Sequence, residues 1–303
     1  MTKEDFKKQL VEEVKESIKE KYGLDTTPEI TTLTKTNVER ESLSIRFAGS
    51  NIAPSIPVQP LYEEYESGMP FEQLVEKTAA TLYEGFNNSP ELPELTIEEA
   101  KKHITLTLVN SELNKKLLDD TPHFDICDGE LSAIPRWYIN EEASFVVKNE
   151  LVGRLGLTPD EVLAIGKNNI DAEKFSVMNM ADLLADLTGQ EMDSDGPTMI
   201  VLSSENRIQG ARALLSEATL NNVHDMIGDF VVLPSSVHEV ICVPKEGNDP
   251  DALKAMVQEI NETQVSPEER LSNEVFLYNG ISLSINREPV MEPQVEMTRR
   301  MAM

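Results

Sequence analysis

The chain has 303 residues, 40% hydrophobic and 27% charged, enough for one large or two modest domains with buried cores. Its 27 basic residues face 54 acidic ones, a formal net charge of −27, spread evenly: residues 1–100 carry 10 basic and 20 acidic, 101–200 carry 9 and 18, and 201–303 carry 8 and 16. No basic arm or stripe emerges, so direct binding to nucleic acid or to an anionic membrane surface is not expected.

Residues 3–21 predict an amphipathic helix, with Phe6, Leu10, Val14 and Ile18 at i, i+4 spacing and Gly23 ending it. Residues 31–36 and 43–47 alternate like strands. The three prolines of 49–60 predict an extended edge segment, and helical periodicity returns at 61–66 and 70–86. Residues 87–93 combine two prolines with small polar residues and read as a linker. It separates an N-terminal α+β subdomain, 1–86, from a C-terminal α+β domain, 96–285.

A capping box at 96–99 opens the next helix, and strands are expected at 104–109, 124–126, 131–139 and 144–147. Arg136, Trp137 and Tyr138 lie in one of these and suit sheet packing. Thr158, Pro159 and Glu161 open a helix towards Asn169. Short helices at 180–187, 207–215 and 220–227 surround a strand at 198–202. A β-hairpin then spans 229–244, turning tightly at Pro234, Ser235 and Ser236. A helix at 250–261, a capped turn at 266–269 and a small hairpin around Asn279 and Gly280 complete the chain. Residues 286–303 lack periodicity and read as a disordered tail. Strands and helices mix without regular β-α alternation, so the expected fold class is α+β with mixed or antiparallel sheets.

Cys127 and Cys242 make no disulfide framework, the N-terminus has no apolar signal region, and no run approaches 18 apolar residues. The expected compartment is the cytoplasm.

The 229–244 run is the one place where a candidate nucleophile, base and acid crowd into an apolar segment. His238, Glu239 and Cys242 match a zinc motif in outline. That motif needs a helix, whereas β-branched residues between Pro234 and Pro244 predict a strand, in which i and i+4 lie about 13 Å apart. Strand alternation puts Ser236, His238, Val240 and Cys242 on one face and Val237, Glu239, Ile241 and Val243 on the other. Ser236 and His238 are therefore the weak catalytic candidates of a hydrolase, with Glu239 on the wrong face to orient the imidazole. Ser235 and Glu239 are candidates for partner contact. Two acidic clusters have incomplete metal frames: Glu191, Asp193 and Asp195, and Asp119, Asp120, His123, Asp125 and Asp128. No phosphate-cradling glycine loop is present. Neither cofactor nor metal is expected.

Five stretches carry a family resemblance: 49–54, 149–151 with 156–161, 206–211, 233–241 and 261–269. Through them the chain resembles an uncharacterised family, a domain of unknown function, found in anaerobic Gram-positive bacteria of gut type, often on mobile elements. Leu-Pro-Ser-Ser-Val-His-Glu at 233–239 and Asn-x-Thr-Gln-Val at 261–265 are its most specific stretches. The resemblance implies no activity, cofactor or catalytic residue. The resulting expectation is an accessory protein acting through contacts with an unknown protein partner. The alternatives are the Ser236/His238 hydrolase and an acidic nucleic-acid mimic.

Overall fold

The structure is a computed structural model that describes residues 1–50, 52–141, 143–189 and 198–285. The 191–195 acidic turn and the expected tail at 286–303 lie outside the described residues. The fold is α+β, and every pairing among the described strands is antiparallel.

The first module opens with α1 (Lys3–Tyr22), capped by the Thr2 side chain and closed by Gly23 at φ 69°. Its stripe of Phe6, Leu10, Val14 and Ile18 is fully buried. Strands β1 (Thr26–Lys35), β2 (Val38–Phe47) and β3 (Ser55–Pro57) make a three-stranded sheet. The first two are longer than their alternation implied, because cross-strand pairing carries Thr- and Glu-rich stretches that pattern alone leaves unassigned. The proline segment is extended at the edge strand β3, as expected, but its last three residues open α2 (Val58–Glu66) instead. Pro60 falls in the first turn, where a missing N–H has no helical acceptor to lose. Helix α3 (Phe71–Asn87) lies against α1 and buries Leu74, Val75, Ala79 and Leu82. Tyr22 stacks on Tyr83 at 3.8 Å and Phe47 on Phe86 at 4.1 Å. These residues form a hydrophobic cluster of their own.

The second module comprises α4 (Ile97–His103), β4 (Ile104–Asn110), α5 (Lys115–Leu118), β5 (Phe124–Ile126), β6 (Leu131–Tyr138), β7 (Ser144–Val146), α6 (Asn149–Leu155) and α7 (Pro159–Ala172). Strand β4 runs along one edge of β6, while β5 and β7 share its other edge. Helix α7 carries the capping box of Thr158 and Glu161. It crosses β4 at Gly166, where an added Cβ would come within 2.6 Å of Leu106. Trp137 is fully buried.

The third module comprises β8 (Phe175–Asn179), α8 (Met180–Thr188), β9 (Ile200–Ser204), a 3-10 turn (Gly210–Leu215), α9 (Glu217–Ile227), β10 (Phe230–Leu233), β11 (Glu239–Pro244), α10 (Pro250–Thr263), β12 (Phe276–Tyr278) and β13 (Leu283–Ile285). Its six strands are ordered β13-β12-β10-β11-β9-β8. One core joins this sheet to the second module, through Leu106, Leu108 and Ala133 on one side and Leu202, Val232, Val240 and Phe276 on the other.

The β1–β2 turn ties the first module to the other two. Asn37 takes the left-handed backbone there, at φ 62°, which Asn tolerates better than most residues. Its backbone N–H donates to Asn114 Oδ1 at 2.8 Å, and Asn114 Nδ2 returns a bond to Asn37 Oδ1 at 2.7 Å. Asn37 Nδ2 donates to the carbonyls of Pro267 and Arg270 at 3.0 and 2.5 Å. Arg40 to Glu268 and Lys116 to Glu39 flank it as ion pairs. Replacing Asn37 with Ala removes the side-chain bonds and strains the turn. The expected cost is about 2–4 kcal/mol, with Asn37→Gly falling between the two, both read by urea unfolding.

Candidate functional site

The 229–244 run forms the expected hairpin of β10 and β11, but not with a tight turn. Leu233 pairs with Ile241, and residues 234–238 arch out between the strands. The arch pairs with a third segment. Val237 N–H donates to Glu269 O at 2.8 Å, Leu271 N–H to Ser235 O at 3.2 Å, and Ser272 N–H to Pro234 O at 3.0 Å. A backbone bridge joins Ser236 to Arg270. The arch therefore behaves as a short irregular strand whose polar backbone groups are satisfied by its neighbour.

This geometry corrects the face assignment. Val237, not Ser236 or His238, is buried in the core with Val240 and Cys242. The strand begins only at Glu239, so period-2 alternation does not run through the arch. Within β11, Val240 and Cys242 face one core, and Ile241 and Val243 the other.

Ser236 Oγ accepts the backbone N–H of His238 at 3.0 Å, a local serine turn. The His238 imidazole points elsewhere. Its Nδ1 accepts from Gln209 N–H at 3.3 Å, which leaves the ring hydrogen on Nε2, facing Glu269 Oε1 at 3.7 Å. Ser236 thus has no bond to a general base in this arrangement, and the imidazole is oriented by Gln209 and Glu269 rather than by Glu239. Glu239 pairs with Ser203 of β9 through the ladder, and Ser235 offers its carbonyl to Leu271.

Residues 206–211 close over the arch. Ala211 N–H donates to Val237 O at 3.1 Å, and Ser203 Oγ donates to His238 O at 2.8 Å. Gly210 is seated so closely that an added Cβ would lie 2.2 Å from Ser203 Oγ and 2.4 Å from His238 O. Three of the five stretches singled out in the sequence, 206–211, 233–241 and 261–269, meet here. What they build is a packed junction with its polar groups paired.

Arg212 anchors this loop and was not foreseen. It is 6% exposed and forks onto Glu173, with Nε at 3.0 Å from Oε2 and Nη2 at 2.6 Å from Oε1. Its Nη1 donates to the carbonyls of Ile208 and Gln209. The available signal was an Arg two residues after Gly210 in a segment otherwise apolar. Both cysteines are buried, and burial pushes both thiols far up.

Four members of the Asp/His cluster, Asp119, His123, Asp125 and Asp128, line a polar cavity of about 810 Å³. Its members disperse to separate partners. Asp120 pairs with Lys148, Asp125 accepts from Ser132 Oγ at 2.7 Å, Asp128 accepts from Ile285 N–H, and His123 Nδ1 sits 2.9 Å from Thr121 O. Glu130, on the same wall, accepts from Asn110 and Ser272. Among the described residues no group of three or more His, Cys, Asp or Glu is placed to hold a metal. No helix among them is long and apolar enough to cross a membrane.

A different concavity lies on the first module. Between α1 and α3 a groove of about 560 Å³ is lined by Phe71 and Val75 and rimmed by Glu13, Glu16, Glu20, Glu72 and Glu76. Lys21 is the one basic residue lining it. None of the five carboxylates joins an ion pair among the described residues, whereas Lys7 and Lys19 on the same helix are paired to Glu41 and Asp25.

The chain belongs to a family of unknown function (DUF5688), whose model matches residues 4–280. Comparison with curated proteins and with solved structures yields no match.

The junction makes two expectations. Gly210→Ala should destabilise the protein by about 3 kcal/mol or more, since backbone and buried hydroxyl flank the new methyl. Ser236→Ala should cost only about 1 kcal/mol, one local hydrogen bond. A fluorophosphonate probe should leave Ser236 unlabelled, and labelling at that residue would contradict the junction role.

Proposed function

We propose that the protein is a binding protein that takes a basic, partly apolar segment of a partner protein into the groove between α1 and α3. One observation carries the reading: five unpaired glutamates converge on a groove that also exposes apolar surface. Glu16 and Glu20 on α1, and Glu72 and Glu76 on α3, stand at i, i+4, and Glu13 and Glu16 at i, i+3. Such like-charge pairs each destabilise a helix by about 0.2–0.5 kcal/mol. A partner bearing Lys or Arg beside apolar residues relieves that repulsion and covers Phe71 and Val75, so charge steers the encounter and apolar burial holds it. The acidic-mimic alternative requires carboxylates gathered in one ordered place, and the five glutamates of this groove support it as one such gathering. Junction geometry gives the Ser236/His238 hydrolase no comparable support.

Combined replacement Glu13→Gln, Glu16→Gln, Glu72→Gln and Glu76→Gln separates binding from folding. The variant should be more stable than the parent by roughly 0.5–1.5 kcal/mol. It should bind a Lys/Leu amphipathic helical peptide at least roughly tenfold more weakly, and the parent's affinity should fall steeply with salt. Neutralising the exposed Glu91, Glu94, Glu246 and Glu262 instead makes the same change in net charge and should leave affinity nearly intact. Equal loss in both variants would reduce the effect to net charge and overturn the reading. In capture from the native host, the partner should come down with the parent and not with the groove variant.

A further inference from the structure

A third concavity, of about 330 Å³, opens between α4, β4, the end of β6 and α7, and is lined by Lys102, Thr105, Tyr138, Asn169, Glu173 and Arg212. Its chemistry is opposite to that of the α1–α3 groove. Arg212 has five N–H donors. Nε and one Nη2 hydrogen go to Glu173, and Nη1 to the carbonyls of Ile208 and Gln209. One Nη2 hydrogen is left without a described acceptor. Tyr138 Oη accepts from Arg212 Nη1 at 3.4 Å, and the guanidinium lies over the Tyr138 ring at 5.5 Å. The phenol's own hydrogen has no described acceptor. Thr105 Oγ1 is buried with no hydrogen-bond partner at all. Beside it, directly across the β4–β6 ladder, Arg136 keeps a buried Nε without a partner. Lys102 adds a further cation at the rim, bonded once to Glu99.

Acceptors are scarce on the same walls. Both Glu173 oxygens already serve Arg212. Asn169 has its Nδ2 turned to the carbonyls of Lys101 and Ile104, which leaves its Oδ1 as an acceptor. Buried donors without acceptors are costly and uncommon in native proteins. Thr105 Oγ1 is such a donor at this concavity, and in a chain of net charge −27 the concavity brings an arginine and a lysine against one half-buried carboxylate. We infer that this concavity is a binding site for a small oxyanion, a phosphate or carboxylate group that accepts from Arg212 Nη2, Tyr138 Oη and Thr105 Oγ1. Asn169 Oδ1 suits the hydroxyl of a hydrogen phosphate, which a carboxylate at neutral pH does not offer.

Trp137 reports on the site. It is the chain's one tryptophan, and its indole stacks on His103, which lines the concavity, at 6.5 Å and 7°. Titration with inorganic phosphate, and separately with succinate, against chloride at matched ionic strength should give a saturable change in tryptophan fluorescence. Response to phosphate alone assigns the Asn169 contact, and response to both assigns the shared oxyanion chemistry. Thr105→Val and Tyr138→Phe keep shape and delete one donor each, so affinity should fall roughly three- to tenfold in either. Thr105→Val should fold at least as stably as the parent, because it removes a buried hydroxyl that has no partner. No saturable response to either anion, an equal response to chloride, or undiminished affinity in both variants would overturn the site.

Discussion

The arch at residues 234–238 and the segment at 269–272 hold each other in place, and the loops that meet around them depend on that pairing. Three backbone bonds join them. The arch in turn receives the 206–211 loop on its inner side, while the 267–270 carbonyls receive Asn37 on the outer side. Remove the pairing and Val237 has no reason to enter the core, Gly210 has no surface to close against, and Asn37 of the β1–β2 turn loses two of its three acceptors. Buried backbone groups must find partners, so this pairing fixes the register of the arch against its neighbour. His238 fits this role. Its imidazole accepts from Gln209 and faces Glu269, linking the loop on one side of the arch to the segment on the other.

Much of the fold was legible because it follows from periodicity and capping, which are local. The α1 stripe, the Thr158 and Glu161 capping box, the β10–β11 hairpin and the class itself all rest on residues within a few positions of one another. Illegible features depend on partners far along the chain. Strand β8 has every residue only half-buried and exists because β9 pairs with it. The outer halves of β1 and β2 are drawn into strand by each other. Period-2 reasoning failed at Ser236 and His238 for the same reason: it presumes a continuous ladder, and the arch finds its ladder in residues 269–272 instead. No pattern within 229–244 carries that information.

Candidate sites were harder to read because residue type announces chemistry, whereas function depends on what the side chain has left to bond. The Asp119–Asp128 cluster has the composition of a metal site, yet Asp120, Asp125 and Asp128 are each turned to a different neighbour. Arg212 and Tyr138 carry no recognisable spacing, being 74 residues apart. Only the fold places the guanidinium over the ring, and burial raises the Tyr138 phenol so that it keeps its hydrogen.

One physical criterion then distinguishes three regions that composition alone would rank otherwise. At the arch, polar groups are matched: Ser236 to a backbone N–H, His238 to Gln209, Ser203 to the His238 carbonyl. Matched polar groups buried at a junction specify geometry, and a substrate has nothing there to engage without breaking a bond already made. The α1–α3 groove holds carboxylates that lack cations, and the Tyr138–Arg212 concavity holds donors that lack acceptors. Each mismatch costs the isolated protein stability, and each is of the sign that a ligand of opposite character removes. Selection for stability alone would reduce both, by Glu to Gln in one place and Thr to Val in the other. The proposed binding reading accounts for their standing beside a largely matched junction in one chain, which a reading centred on His238 does not.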